Sequence, residues 1–406
     1  MKTVEIPGSK SYTNRALIIA ALAKGTTKLN KVLLSDDTIL MMAALKQFGV
    51  SIQEKGNTII VNGGTLKNPK KILNAGAAGT TMRFLTSLAT LVEGKVTITG
   101  NTRMQKRPIQ DLLDGLNQLG VNAYSKKNNS CPPVVVEGTL VGGNTQMNGD
   151  KSSQYFTSIL MCAPYAERDV EIEVIGDLAS KPYIDITIDI MKKFGVVVEN
   201  KDYQKFIVRN GQTYSPCEYN IEGDASNASY FLGAGAVTGE KIRVTNVNPE
   251  SKQGDIKFSK VLEQMGCSVF YGKDFIEVKG GDLKGIDVDM NHIPDVVQTL
   301  GVVALFAKGK TKVRNVPNLR IKETDRINAL ATELRKLGGK VKEFKDGLEI
   351  TPGVLKAAEI DTYEDHRMAM SFAIATLKIK GVKIKDPLCV RKSFPDFWVR
   401  WAKIQK

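Results

Sequence analysis

The 406-residue chain is 42% hydrophobic and 25% charged, the balance of an ordinary soluble globular protein. No stretch reaches the roughly 18 apolar residues of a membrane span. The net charge of +14 suits small polyanionic substrates as well as nucleic acid; the lysines are spread throughout, however, without the basic runs or aromatic–basic interleaving of a base-stacking platform. Cysteines 131, 162, 217, 267 and 389 are odd in number and lack CxxC or histidine pairing, which argues for reduced thiols in a cytosol and against a disulfide framework or a zinc site.

In chain order, Thr3–Ile6 reads as a strand and Pro7–Arg15 as a turn rich in hydroxyls and cations. The apolar run Ala16–Ala23 that follows reads as a buried helix rather than a signal peptide. Lys10, Ser11 and Arg15 would suit an anion at that helix start. Strands are expected at Thr58–Val61, Pro133–Gly138, Phe206–Val208, Phe275–Val278 and Leu348–Ile350. The small residues of Asn74–Arg83 let backbone approach a ligand or pack a helix tightly. Arg103, Lys106 and Arg107 crowd an expected helix start, where cations oppose the helix dipole and where one of them should meet an anion. Further segments rich in polar and charged groups are Ser152–Gln154, Ser180–Tyr183, Asn291–Asp295, Asn318–Arg326, Glu364–Arg367 and Arg391–Asp396. A last helix is expected from Phe394 to Ile404.

A repeat underlies these elements. Five helix-patterned stretches end in similar joints around Gly49, Gly120, Gly195, Gly266 and Gly338, spaced 71, 75, 71 and 72 residues apart. In the fifth, Ile327, Leu330, Leu334 and Leu337 share one helix face, and the glycine fits a left-handed cap. A strand pair follows each joint. The length leaves room for five full repeats and a sixth split between the termini, the opening strand and the final helix, and hence for two domains of three. Such an array can be a bare binding surface. The polar segments, however, pool many cations, several hydroxyls and a few carboxylates, with no Ser-His-Asp spacing, HExxH, P-loop or dinucleotide fingerprint. They point to a site for one or two phosphorylated or carboxylated small molecules, with a carboxylate available as acid or base.

The motifs PGSKSxTNRAL, RPI, SSQ, SKPY, GDASxASYF, NHIPD, KETDR, DHRMAM and RKSFPDF stand in the order and spacing of the 5-enolpyruvylshikimate-3-phosphate synthase family, which the whole chain resembles. The resemblance implies an α/β fold, a two-domain inside-out barrel of six βαβαββ units, three per domain. It implies that residues 1–8 and 222–406 form one domain and 9–221 the other, with the active site in the cleft between them. It implies transfer of the enolpyruvyl group of phosphoenolpyruvate to the 5-hydroxyl of shikimate 3-phosphate with release of phosphate, a step towards chorismate and the aromatic amino acids, by a cytoplasmic monomer without metal or organic cofactor. Carried over residue by residue, the catalytic groups are Asp295 as base, Glu323 as acid and Lys10 nearby. Shikimate 3-phosphate is expected on Lys10, Ser11, Arg15, Ser152, Ser153, Gln154, Ser180, Tyr183, Asp295, Asn318 and Lys322. Phosphoenolpyruvate is expected on Lys10, Gly79, Arg107, Gln154, Arg326, Arg367 and Lys392. The chain departs from the family pattern at Ala77, where Asn is usual, and at Phe84, where Pro is usual, in a loop where glyphosate competes with phosphoenolpyruvate; Gly79 leaves room for that inhibitor. The sister transferase acting on UDP-N-acetylglucosamine is disfavoured because no cysteine lies between residues 84 and 130 and because SSQ and KETDR fit the shikimate enzyme. An RNA-binding or RNA-end-processing protein on related repeats is disfavoured by the absence of base-stacking signals.

Overall fold

The computed structural model describes residues 1–405. The chain forms two compact units, a continuous one, Gly8–Ile221, and a discontinuous one, Met1–Pro7 with Glu222 onward. Gly8 lies with the continuous unit because its backbone sits flush on Lys31: a Cβ there would fall 2.0 Å from the Lys31 carbonyl oxygen. Pro7 is tied to the discontinuous unit, its carbonyl accepting from the Asp224 amide at 2.9 Å.

Each unit alternates two kinds of helix. The continuous unit holds α1 (Lys10–Leu22), α2 (Asp36–Gln47), α3 (Gly79–Leu88), α4 (Gln110–Gln118), α5 (Ser153–Cys162) and α6 (Pro182–Lys193). The discontinuous unit holds α7 (Ala225–Thr238), α8 (Phe258–Gln264), α9 (Val297–Ala304), α10 (Arg326–Lys336), α11 (His366–Ala373) and α12 (Phe397–Gln405). The odd-numbered helices are rich in small and apolar residues on every side and are almost wholly buried. They pack on one another in the middle of each unit: α3 against α1 and α5, α9 against α7 and α11. In the discontinuous unit the packing carries a chain of hydroxyls, Ser229 Oγ to Thr299 Oγ1 at 3.0 Å and Thr299 Oγ1 to Ser371 Oγ at 3.3 Å. Ser87 and Ser158 meet likewise, at 2.9 Å, between α3 and α5.

The helices α2, α4, α6, α8 and α10 end at the five joint glycines, which take φ of 84°, 88°, 90°, 101° and 99°. In each joint the residue after the glycine donates its amide back to the helix, as Val50 does to Leu45 O at 3.1 Å and Gly339 to Leu334 O at 2.9 Å. The helix end is thus closed in the Schellman manner, and only glycine takes that φ without strain.

Small sheets lie outside the buried helices. In the second repeat Leu73–Asn74 runs parallel to Lys95–Thr99, which pairs antiparallel with Val134–Glu137 and through it with Asn122–Ser125. With α3 and α4 this is one complete βαβαββ unit, and the third and fifth repeats have the same order. The termini do not share a split sheet. Lys2–Glu5 runs parallel to Lys241–Thr245 and completes the fourth repeat, whereas Glu218–Asn220, which precedes α7, pairs with Gly25–Asn30 of the first. The leading strands of these two repeats are therefore exchanged between distant segments. A parallel pair needs no hairpin, so either segment can fill the edge. The sixth repeat has its own parallel pair, Glu359–Ile360 with Lys383–Ile384, and ends in α12 without a closing hairpin. The start and end still touch, through Lys2 Nζ to Ile404 O at 2.8 Å.

Candidate active site

Each unit holds one cluster of buried polar groups, and the two clusters differ in charge. In the discontinuous unit the first residue of α10 is Arg326, 2% exposed. A cation there opposes the helix dipole. Three carboxylates offset it: Asp295 Oδ1 at 2.9 Å from NH1, Glu323 Oε2 at 2.9 Å from NH2 and Asp365 Oδ2 at 2.7 Å from Nε. Burial would lower the Arg326 pKa, but the three acids outweigh it and hold it above the usual arginine value. Arg367, on α11, reaches Asp295 Oδ2 at 2.7 Å and donates to the Tyr230 hydroxyl at 3.2 Å. Lys392 reaches Glu323 Oε1 at 3.0 Å. Three acids and three cations thus form one connected network.

Burial alone would raise the Asp295 carboxyl, yet Arg367, Lys322 and Arg326 together hold it well below the ordinary range. Asn318 is buried, and its Oδ1 has no hydrogen-bond partner among the described residues. A buried acceptor in that state is suited to a ligand hydroxyl or cation.

Asp365 lies in the expected polar segment Glu364–Arg367 but was given no role there; its Oδ1 also accepts the Arg367 amide at 2.9 Å as the cap of α11. The signal was an aspartate ahead of a helix, which reads as a cap and hides a second role. Asp255 was missed altogether. It is 5% exposed, Ser226 Oγ donates to its Oδ2, and its Oδ1 has no partner among the described residues. Burial, helped by repulsion from Asp295 and Asp224 and opposed by Arg367 and the Ser226 bond, pushes its carboxyl up to about 7. A raised carboxyl adds stability below its unfolded pKa and loses it as pH rises through the folded one. The melting temperature of Asp255→Asn is therefore expected to gain on that of the unsubstituted chain between about pH 4 and 7 and then level off; a pH-independent difference would contradict this assignment.

The cluster of the continuous unit is dominated by cations. Arg15, on α1, is 1% exposed. Its N–H groups donate to Thr187 Oγ1 at 2.8 Å, Ser11 O at 2.9 Å and Tyr183 O at 3.2 Å. Its guanidinium lies over the rings of Phe84 at 5.3 Å and Tyr183 at 5.9 Å. Among the described residues no carboxylate pairs with it, and burial lowers its pKa to about 10, which leaves it charged at neutral pH. Lys10, at the start of α1, reaches Asp37 Oδ2 at 3.3 Å. Arg83 NH1 donates to Gln154 Oε1 at 2.6 Å and lies over the Tyr155 ring at 5.3 Å.

The three expected cations at 103–107 do not share a helix start. They lie on and beside a 3-10 turn, Met104–Lys106, ahead of α4, because Pro108 follows and the helix begins only at Gln110. Of the three only Arg107 is buried, at 5% exposure. The Tyr155 hydroxyl fixes this segment by donating to Pro108 O at 2.7 Å. Gly79 opens α3 against the Arg107 guanidinium: a Cβ there would fall 2.8 Å from NH1. Ser152 caps α5 by accepting the Gln154 amide at 3.3 Å, and Ser153 is buried beside it. Ser180 is buried and takes a left-handed φ of 58°, a strained conformation for serine. The structure thus brings Lys10, Ser11, Arg15 and Tyr183 together around α1, and Gly79, Arg107 and Gln154 around α3 and α5. It gathers Asp295, Glu323, Arg326, Arg367 and Lys392 in the other unit, with Asn318 and Lys322 on the turn before α10. Arg83 and Asp37 join these groups without having been assigned a role from sequence.

Comparison with known proteins agrees with this chemistry. A family model described as EPSP synthase (3-phosphoshikimate 1-carboxyvinyltransferase) matches residues 1–401. The chain is 50% identical over 410 residues to the 3-phosphoshikimate 1-carboxyvinyltransferase of Shewanella sp. (strain W3-18-1), covering 99% of this chain and 96% of that protein. It is 50% identical over 413 residues to the enzyme of that name from Tolumonas auensis, covering 100% and 96%. A solved EPSP synthase from Acinetobacter baumannii superposes with a TM-score of 0.82 at 27% identity, covering 99% of this chain and 95% of that one. With a family model matched over residues 1–401 and half of its residues identical to a relative along nearly the whole length of both, the chain belongs to the EPSP synthase family.

Proposed function

We propose that the two clusters divide the enolpyruvyl transfer between them, the continuous unit supplying cations for anionic substrate groups and the discontinuous unit supplying the proton-transfer carboxylates together with further cations. The observation that carries this reading is the contrast between Arg15, buried with no carboxylate among the described residues, and Arg326, buried against three. A buried cation without an acid is costly unless an anionic ligand meets it.

Shikimate 3-phosphate would be held by Arg15, Lys10, Ser11, Ser152, Ser153, Gln154, Ser180 and Tyr183, and its ring by Asp295, Asn318 and Lys322. The expected phosphoenolpyruvate ligands remain Lys10, Gly79, Arg107, Gln154, Arg326, Arg367 and Lys392. Asp295 accepts the proton of the 5-hydroxyl as that oxygen attacks carbon 2 of phosphoenolpyruvate, and Glu323 gives a proton to carbon 3. The tetrahedral adduct then expels phosphate as carbon 3 returns a proton, and the new ether bond remains. In the structure both arginines hold Asp295 firmly ionised, which makes it a weak base. An anionic substrate that draws off part of the charge of Arg326 and Arg367 raises its basicity when the hydroxyl arrives. Catalysis as a monomer in the cytoplasm, without nucleic acid, belongs to the same reading; no helix among the described residues is long and apolar enough to cross a membrane.

Phosphate release from phosphoenolpyruvate, followed in parallel with shikimate 3-phosphate and with UDP-N-acetylglucosamine, tests the substrate. Release with shikimate 3-phosphate alone is expected, and release only with the nucleotide sugar would overturn it. The Gly79 contact gives a second expectation. In Gly79→Ala the new methyl displaces the far end of Arg107, a shift the flexible side chain tolerates, so the fold survives. The KM for phosphoenolpyruvate should rise by about 10- to 100-fold, the scale of a charge-assisted hydrogen bond. An unchanged KM would detach Arg107 from that substrate.

A further inference from the structure

The proton transfers give Phe84 no task. It is fully buried on α3, directly after Arg83, with its ring 5.3 Å from the Arg15 guanidinium carbon. The second ring at Arg15 is Tyr183, at 5.9 Å. The remaining partners of Arg15 are a threonine hydroxyl and two carbonyls, so every group holding this cation is neutral. The discontinuous unit holds its buried arginine in the opposite way, with carboxylates that an arriving anion must displace or share. An aromatic face attracts a cation through its quadrupole without cancelling its charge. A guanidinium has five N–H donors, of which three are engaged here in hydrogen bonds. A ring face limits its tilt out of the plane of those bonds.

We propose that Phe84 is a positioning residue for shikimate 3-phosphate: its ring holds the buried Arg15 guanidinium oriented and fully charged, so that the anionic group of the substrate meets an uncompensated cation. The inference rests on the reading that Arg15 binds this substrate. The same helix opens with Gly79 against Arg107 and carries Arg83 against Gln154, so α3 sets three of the unit's arginines: Arg107, Arg83 and Arg15.

Phe84 also fills core, so the test must weaken the ring face without changing its shape. Replacing Phe84 by 3,4,5-trifluorophenylalanine does this, and Phe84→Leu removes the ring while keeping an apolar side chain. The measurement is the KM for each substrate and kcat in the full-length enzyme, with Arg15→Lys as the reference. The KM for shikimate 3-phosphate should rise about two- to five-fold on trifluorination and about 5- to 30-fold in Phe84→Leu, the range of a desolvated cation–π contact. The KM for phosphoenolpyruvate and kcat should stay within about two-fold. A trifluorinated enzyme with unchanged KM values, or equal shifts for both substrates, would overturn the role of Phe84. If Arg15→Lys itself left the KM for shikimate 3-phosphate unchanged, the assignment of Arg15 beneath it would fall instead.

Discussion

Asp295→Asn is expected to lower kcat by about 10²- to 10⁴-fold while both substrates still bind, the scale of losing a positioned general base. The amide keeps the shape of the side chain and one oxygen for Arg326 or Arg367, so the network loses a charge but not its packing. Arg326 keeps Asp365 and Glu323, so its burial remains compensated. Loss of turnover should therefore come without loss of fold, and substrate affinity measured by calorimetry should change little. Near-normal turnover in Asp295→Asn would remove this residue from proton transfer. A drop in turnover matched by an equal drop in affinity would make it a binding group alone.

The second large effect is a contrast between two arginines of equal burial. Arg326→Met leaves Asp295, Glu323 and Asp365 facing one another in a buried site with Arg367 and Lys392 to share. Removing one partner from a buried ionic network costs about 3–5 kcal/mol, so the melting temperature should fall by many degrees. Arg15→Met removes a buried charge that no carboxylate among the described residues offsets. Its fold should be as stable as before or more so, because the desolvation of the guanidinium is relieved. The KM for shikimate 3-phosphate should nevertheless rise on the order of 10²-fold, as truncating a buried charge contact does. Thermal melts and steady-state kinetics on the two variants separate the roles. A destabilised Arg15→Met enzyme would mean that this cation serves the fold.

The repeat architecture was legible because each joint carries a local signature. An apolar stripe, a glycine that must take positive φ and a short strand pair fall in one order five times over, and each feature depends on neighbours in sequence. The buried helices were harder to place. α7 and α9 are apolar or small on every side, so no stripe says what they pack against. The exchanged leading strands were not legible, because Lys2–Glu5 and Glu218–Asn220 are too short to encode a partner, and a parallel edge can be filled from any distance. In the site, the cations stood out as exceptions to the apolar pattern. Their partners did not: Asp365 reads as a helix cap and Asp37 as the first turn of α2, and Phe84, noted only as a departure from the family pattern, gave no sign of its contact with Arg15. Charge pairing across elements is a tertiary fact, and sequence spacing carries no trace of it.

The division of labour is tested most directly by running the reaction in deuterium oxide with phosphoenolpyruvate and shikimate 3-phosphate and analysing the residual phosphoenolpyruvate. If Glu323 protonates carbon 3 and the adduct forms reversibly, carbon 3 becomes a methyl group carrying one solvent deuteron. Loss of any of its three hydrogens on reversal then returns deuterium to the methylene of phosphoenolpyruvate. This label is expected with the unsubstituted enzyme, and little or none with Glu323→Gln despite bound substrates. Label in Glu323→Gln at the rate of the unsubstituted enzyme would contradict it and move the acid to another residue.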